Sequence, residues 1–229
     1  MEIRNITKTY GEKKALDSVG FSAEEGKITV ILGPSGSGKS TLLKIIAGLE
    51  KADEGEIVLA DKNITDVPAG ERGIAMVFQD AALFPMTNVK ENILYGTHLA
   101  KTEAEGKLRE LSEILKIESL LERYPRRLSG GERQRVNIAR ALIRDPEAVL
   151  LDEPFASLDE KLKKELQEEV MILQKKKQMT VLWVTHDQKE AFLAADQMII
   201  LREGRLIAKG TPEEIRNSPD LQVKEFITV

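Results

Sequence analysis

The sequence predicts an α/β fold: a core sheet of buried strands with helices packed on it, antiparallel hairpins beside it and an inserted helical lobe. Three observations predict it. Runs at 27–32, 74–78, 148–151 and 180–185 are apolar and rich in β-branched residues, as strands buried on both faces should be. Glycine, amide, carboxylate or histidine residues follow these runs at once, where the ligand edge of such a sheet lies. Between them, segment 102–124 carries Leu108, Leu111, Leu115 and Leu120 among charges, the stripe of an amphipathic helical lobe. A chain of 229 residues suits one α/β domain, or a core with an inserted lobe.

Composition narrows the function classes. Lys and Arg total 34 against 38 Asp and Glu, a net charge of −4, so no global basic field points to nucleic acid. Cysteine is absent, which excludes a disulfide framework or thiolate metal site and fits a reducing compartment. Met1 leads directly into Glu2-Ile3-Arg4, so no signal peptide is expected. No apolar run approaches the ~20 residues of a membrane-spanning helix. Any membrane role is expected to come through a partner.

Taken in order, residues 2–9 and 18–23 read as two strands around a turn at Gly11-Glu12. Tyr10 ends the first, either as edge packing or as a platform for a purine base. Strand 27–32 then runs into Gly33-Pro34-Ser35-Gly36-Ser37-Gly38-Lys39-Ser40-Thr41, followed by a helix that Gly48 stops. The stretch fits G-x-x-x-x-G-K-[ST], the phosphate-binding loop, in the strand–loop–helix setting that confirms it. At average usage the pattern arises by chance about once in a hundred chains of this length. The glycines let successive backbone N–H groups turn inward as an anion nest, at the positive end of the next helix. Lys39 adds a full charge for the β- and γ-phosphates, and the Ser40 hydroxyl suits Mg²⁺.

A short hairpin is expected around 55–60 and Ile64, then a buried strand at 74–78 ending at Gln79, either a site residue or a solvated loop amide. Residues 81–86 are apolar in a loop position, before a helix capped by Thr87 or Asn88 and running through Tyr95. After the helical lobe, Ser129-Gly130-Gly131-Glu132 opens a helix with the inner stripe Val136, Ala139 and Ile143. Capping explains Ser129 and Glu132; two glycines open a second backbone anion site. Strand 148–151 ends in Asp152 and Glu153, placed for an Mg²⁺ contact and for a general base acting on water, or else a pair of loop acids. Asp159 is placed to cap a helix running to about Lys177. Strand 180–185 ends at His186, which is either structural or able to reach a γ-phosphate. A hairpin around Glu203-Gly204, a helix capped by Thr211 with Pro212 first, and a short helix near 223–227 complete the chain.

The phosphate loop, Gln79, Leu128-Ser129-Gly130-Gly131-Glu132, Leu150-Leu151-Asp152-Glu153, Ser157-Leu158-Asp159 and His186 occur in one order. That order resembles the nucleotide-binding subunits of ABC transporters across essentially the whole chain. Phosphate-loop kinases and GTPases lack the second glycine motif. The resemblance implies a phosphate-loop (RecA-like) core sheet at 1–87 and 145–229, an antiparallel β subdomain and an α-helical subdomain inserted at about 88–144. Many subunits of the resembled kind carry a further C-terminal regulatory domain; at 229 residues this chain is expected to be a single domain, 1–229, without one.

It also implies an Mg²⁺-dependent ATPase. Tyr10 becomes the adenine-stacking residue and Gln79 the link from Mg²⁺ and water to a membrane partner. Ser129, Gly130 and Gly131 would contact the γ-phosphate held by a second copy, with Asp159 supporting that interface. One position departs from the family: Glu132 stands where Gln is usual. Segments 79–85, 89–93 and 210–215 look like the bacterial and archaeal importer branch, the alternatives being an exporter subunit or a soluble ABC-type ATPase without a transport role. The implied partners are a second copy, transmembrane permease subunits and an extracytoplasmic substrate-binding protein, with no nucleic acid. The implied location is cytoplasmic, peripheral on the inner face of the membrane through the permease, which the exposed Leu83-Phe84-Pro85 would meet.

Overall fold

The computed structural model describes residues 1–227, so the last two residues of the expected 1–229 span lie outside the description. Strands β1 (Glu2–Tyr10) and β2 (Lys13–Ser22) form the first hairpin. Its second strand starts at Lys13, five residues before the expected 18, because the turn at Gly11 pairs Tyr10 with Lys13 at once. Lys13, Lys14 and Ala15 have little intrinsic strand preference; pairing with β1 overrides it. Strand β3 (Ile28–Leu32) is wholly buried and feeds the glycine loop and helix α1 (Lys39–Ala47). Next come the hairpin β4 (Glu54–Leu59) and β5 (Lys62–Asn63), then β6 (Ile74–Val77). Arg72 joins these parts: its guanidinium donates to Ile45 O and Ile46 O at the end of α1 and to Thr65 O and Val67 O.

Residues 89–142 carry helices α2 (Val89–Leu94), α3 (Lys101–Ile114) and α4 (Gly130–Leu142). Asn88 and Ser129 cap α2 and α4 in full capping boxes with Glu91 and Glu132. The chain then alternates β7 (Ala148–Asp152), α5 (Glu160–Lys177), β8 (Thr180–Thr185), α6 (Gln188–Ala194) and β9 (Gln197–Arg202). Strand β10 (Arg205–Gly210) and helices α7 (Pro212–Arg216) and α8 (Leu221–Phe226) end it. Helix α6 was not expected from the sequence; Asp187 caps it, and its short length hides its period.

Two sheets result. One is antiparallel, in the order β2-β1-β4-β5. The other runs β10-β9-β3-β8-β7-β6, parallel except for β10. Alternate residues of the parallel strands enter different cores. Val30, Val149, Leu151, Trp183, Met198 and Ile200 pack with residues of helices α2 to α8. Ile31, Leu150, Leu182, Val184 and Ile199 pack with α1 and the antiparallel sheet. Strand β6 corrects the expectation of a strand buried on both faces: it is the sheet edge, and Ile74, Ala75 and Met76 are only half-buried. The sheet thereby brings the ends of β3, β7 and β8 to one edge. Among the described residues, no helix is long and apolar enough to cross a membrane.

Candidate functional site

The loop 33–41 keeps its shape because backbone from distant segments closes on it. Gly38 sits at φ 102°, and a Cβ there would lie 2.5 Å from Ala15 O, so both conformation and space demand glycine. Gly33 has no room either, since a Cβ would meet Leu201 O. Ser37 N–H donates to Pro34 O at 3.2 Å, and Ser37 O accepts Gly204 N–H at 3.1 Å. Gly204 O in turn accepts Asp17 N–H at 2.8 Å. The loop is thus braced by the β1–β2 and β9–β10 hairpins.

An open cavity of about 510 Å³ lies against this loop. Ser35, Gly36, Gly38, Lys39, Ser40 and Thr41 line it, together with Tyr10 and Glu153. Tyr10 is 48% exposed, with Lys8 Nζ 5.2 Å from its ring centre. Tyr10 is thus half-exposed beside the cavity. Lys13, Lys14, Ala15, Glu203 and Gly204 also line the cavity and carry no sequence motif that would have found them. Pro34 enters through its carbonyl, which accepts from Lys39.

The strand ends meet at the cavity edge. Ser40 Oγ donates to Asp152 Oδ1 at 2.8 Å. Burial pushes the Asp152 carboxyl above its ordinary range; neighbouring Glu153 adds to this and the Ser40 hydrogen bond opposes it. Lys39 Nζ donates to Gly33 O at 2.8 Å and Pro34 O at 2.9 Å, and lies 3.9 Å from Glu153 Oε1. Burial pushes this ammonium down, against the pull of Glu153 and Asp152. Ser37 Oγ is buried without a hydrogen-bond partner among the described residues.

Glu153 holds φ 46°, in the left-handed region that a non-glycine residue enters at some cost. Its N–H donates to Val184 O at 3.0 Å, tying the turn to β8. The turn brings Glu153 Oε2 to 2.8 Å from His186 Nδ1. With the carboxylate accepting, Nδ1 carries the proton. Gln79, just beyond β6, is exposed and has no side-chain hydrogen bond among the described residues.

Ser129, Gly130, Gly131 and Glu132 lie outside this cavity, at the start of α4. Ser129 Oγ accepts Glu132 N–H at 3.2 Å, and Glu132 Oε2 accepts Ser129 N–H at 2.7 Å. That second bond holds the Glu132 carboxyl below its ordinary range, against partial burial. The two glycines differ. A Cβ on Gly131 would meet the Leu162 side chain of α5, which would have to shift to admit it. Gly130 has only Leu158 Cδ2 at 3.7 Å, and packing does not account for it. Asp159 caps α5, accepting Leu162 N–H at 3.1 Å.

The expected partner-facing stretch also needs one correction. Leu83 turns inward and packs on the core, while Phe84, Pro85, Met86 and Tyr95 are exposed. Phe84 is 39% exposed, with the Tyr95 ring 4.3 Å away and the Arg140 guanidinium 5.5 Å from its centre. Buried Asn92 holds the loop: its Oδ1 accepts Phe84 N–H at 2.7 Å and its Nδ2 donates to Thr87 O at 3.1 Å.

Comparison with known proteins gives a consistent result. The family model described as ABC transporter matches residues 16–156. The sulfate/thiosulfate import ATP-binding protein CysA of Nephroselmis olivacea is 44% identical over 220 residues, 95% of this chain and 64% of that one. The spermidine/putrescine import ATP-binding protein PotA of Aggregatibacter actinomycetemcomitans is 42% identical over 231 residues, 99% of this chain and 62% of that one. The chain thus spans about three fifths of the length of these relatives. A solved nucleotide-free ATP-binding cassette superposes with TM-score 0.87 at 34% identity, covering 98% of this chain and 97% of that chain. A dimeric cassette bound to ADP and Pi in a post-hydrolysis state superposes with TM-score 0.81 at 33% identity, covering 92% and 98%.

Proposed function

Because the chain belongs to the ABC transporter family, we propose that it is the ATP-hydrolysing subunit of an importer, working as two copies beneath a membrane permease. One observation carries this reading. Ser40, Asp152, Lys39, Glu153 and His186 meet at one cavity edge, while Ser129-Gly130-Gly131 stands apart on α4. Each copy then has one phosphate end and one free glycine motif, and a two-fold pair would supply each site's other half. The solved dimer bound to ADP and Pi supports this arrangement.

In this reading adenine stacks on Tyr10 and the phosphates enter the nest formed by residues 33–41, with Lys39 against the β- and γ-phosphates. Ser129, Gly130 and Gly131 of the second copy close on the γ-phosphate, with Glu132 beside them and Asp159 supporting the interface. Residues 1–87 and 145–229 act as the core and 88–144 as the helical subdomain.

Magnesium fits the donors present. A hydroxyl and a carboxylate are hard oxygen ligands, and Mg²⁺ takes few of its ligands from protein when phosphates and water complete its shell. Asp152 and Glu153 also set two carboxylates against the single ammonium of Lys39. Ser40, Asp152 and Gln79 would hold the ion, which neutralises phosphate charge during phosphoryl transfer. Glu153 is the general base. Its Oε2 is engaged by His186, and Oε1, 3.9 Å from Lys39 Nζ, is the oxygen that accepts the proton of the attacking water. His186 orients that carboxylate and reaches toward the γ-phosphate.

ATP bound between two copies stabilises the closed pair, and hydrolysis releases it. Gln79 and the exposed Phe84–Tyr95 face pass that motion to the permease, which holds the subunit on the inner face of the membrane. The matched relatives are named for two unlike solutes, which supports assigning solute choice to the permease and an extracytoplasmic binding protein. The purified chain should release phosphate from ATP with Mg²⁺ and stop when EDTA is added. No phosphate release, or release indifferent to EDTA, would overturn the proposal.

A further inference from the structure

Behind His186 lies a partly buried charged cluster with no part in the site described above: the Glu190 side chain is buried, while those of Lys163 and Asp187 are half-buried. Lys163, in the first turn of α5, places Nζ 2.5 Å from Asp187 Oδ2 and 3.0 Å from Glu190 Oε2. Glu190 is 5% exposed. Its Oε1 accepts the Trp183 indole N–H at 2.8 Å, and its Oε2 accepts the Thr185 hydroxyl at 2.9 Å. Thr185 Oγ1 in turn accepts Asp187 N–H at 3.0 Å. Asp187 Oδ1 accepts Glu190 N–H at 3.3 Å and caps α6. Both neighbours of His186 are therefore pinned from below. The imidazole itself is 52% exposed and meets Glu153 through Nδ1.

Burying the Glu190 carboxylate is expensive even against the ammonium of half-buried Lys163, and an apolar side chain would fill that space at lower cost. Packing alone does not account for it. Burial alone would push Lys163 down and Asp187 up; their mutual contact, with Glu190, outweighs burial and keeps the pair charged. The bonds of the cluster end on residues 183, 185 and 187 and on the first turn of α6, the chain on either side of His186. Lys163 also belongs to the turn that starts at Asp159, since its N–H donates to Asp159 O at 2.9 Å.

We infer that Lys163 is a positioning residue for His186: from α5 it anchors the 185–187 loop so that the imidazole meets Glu153. The inference rests on the reading of Glu153 and His186 as the groups that act on ATP.

Lys163→Met keeps the aliphatic stem and removes the ammonium. Turnover should fall about tenfold, within the ~10²-fold that misplacement by an ångström can cost. The KM for ATP should hold, because Tyr10 and residues 33–41 are untouched. Lys163→Arg should restore most of the loss. In a His186→Ala background Lys163→Met should cost nothing further, whereas an unrelated structural defect would add to it. The His186 ring signals in the NMR spectrum of the nucleotide-free protein should move with Lys163→Met. If that variant does not fold, Thr185→Val, which removes one hydroxyl and leaves the charges, should produce the same pattern. Parent-level turnover, additive losses or an unmoved imidazole signal would overturn the inference. A parent chain without ATPase activity would instead sink the functional reading, and the imidazole signal would still decide this one.

Discussion

Ser129→Arg separates the two jobs given to the start of α4. Ser129 is exposed, and its Oγ accepts Glu132 N–H at 3.2 Å. Removing a serine N-cap costs about 0.5–2 kcal/mol. Here Glu132 keeps Ser129 N–H bonded at 2.7 Å, so half the capping box survives and the loss should fall in the lower half of that range. For a domain this large, about 1 kcal/mol lowers Tm by about 2–4 °C. Ser129→Ala carries the same cap loss without the bulk, and is the control. Neither variant should weaken ATP binding by the single chain, because Ser129 does not line the cavity of its own phosphate loop. Ser129→Arg alone should abolish dimerisation with Mg-ATP, read by light scattering beside a fluorescent-nucleotide titration. Dimerisation of the arginine variant at the parent level would refute the two-copy site. Equal loss in both variants would refute the steric argument and leave the cap as the cause.

Phe84→Asp should leave the isolated subunit hydrolysing ATP and end its association with the permease, since the Phe84–Tyr95 face is the exposed apolar surface beside the Asn92-braced loop; an undiminished pull-down would contradict this. Glu132→Gln should make stability less acid-sensitive. The Ser129 N–H bond depresses the Glu132 carboxyl in the folded state, so its contribution is present above the unfolded pKa and disappears as pH falls through the folded one. Gln keeps the acceptor and does not ionise. Thermal melts from neutral pH down through the carboxylate range should fall less for the variant, and an equal or steeper fall would contradict the assignment.

Much of this was legible in the sequence because the signals are local. A glycine loop between a strand and a helix, polar residues at the ends of buried runs, and capping residues three positions before their acids are all read within a few residues. The start of β2 was not, because Lys13 and Lys14 become strand only through pairing across the turn at Gly11. Nor was the edge position of β6, which depends on strand order. Leu83 looked exposed because its neighbours are; a loop held by Asn92 turns it inward. Gly131 has a packing neighbour as well, Leu162, 31 residues on, which no local pattern shows. The Lys163–Glu190 contact spans 27 residues and two elements, and no local pattern announces such a pair.

The most direct measurement takes Glu153→Gln. Gln keeps the size of the side chain and a partner for His186, but cannot accept a proton from water. General-base assistance is typically worth about 10²–10⁴-fold. The variant also removes one of the two carboxylates set against Lys39, so ATP should be held more tightly. Phosphate release and size-exclusion chromatography in Mg-ATP, run on one preparation, read both consequences. The account predicts turnover lower by at least about 10²-fold together with a nucleotide-bound dimer stable enough to isolate. Hydrolysis at the parent rate, or lost hydrolysis without a trapped dimer, would contradict it.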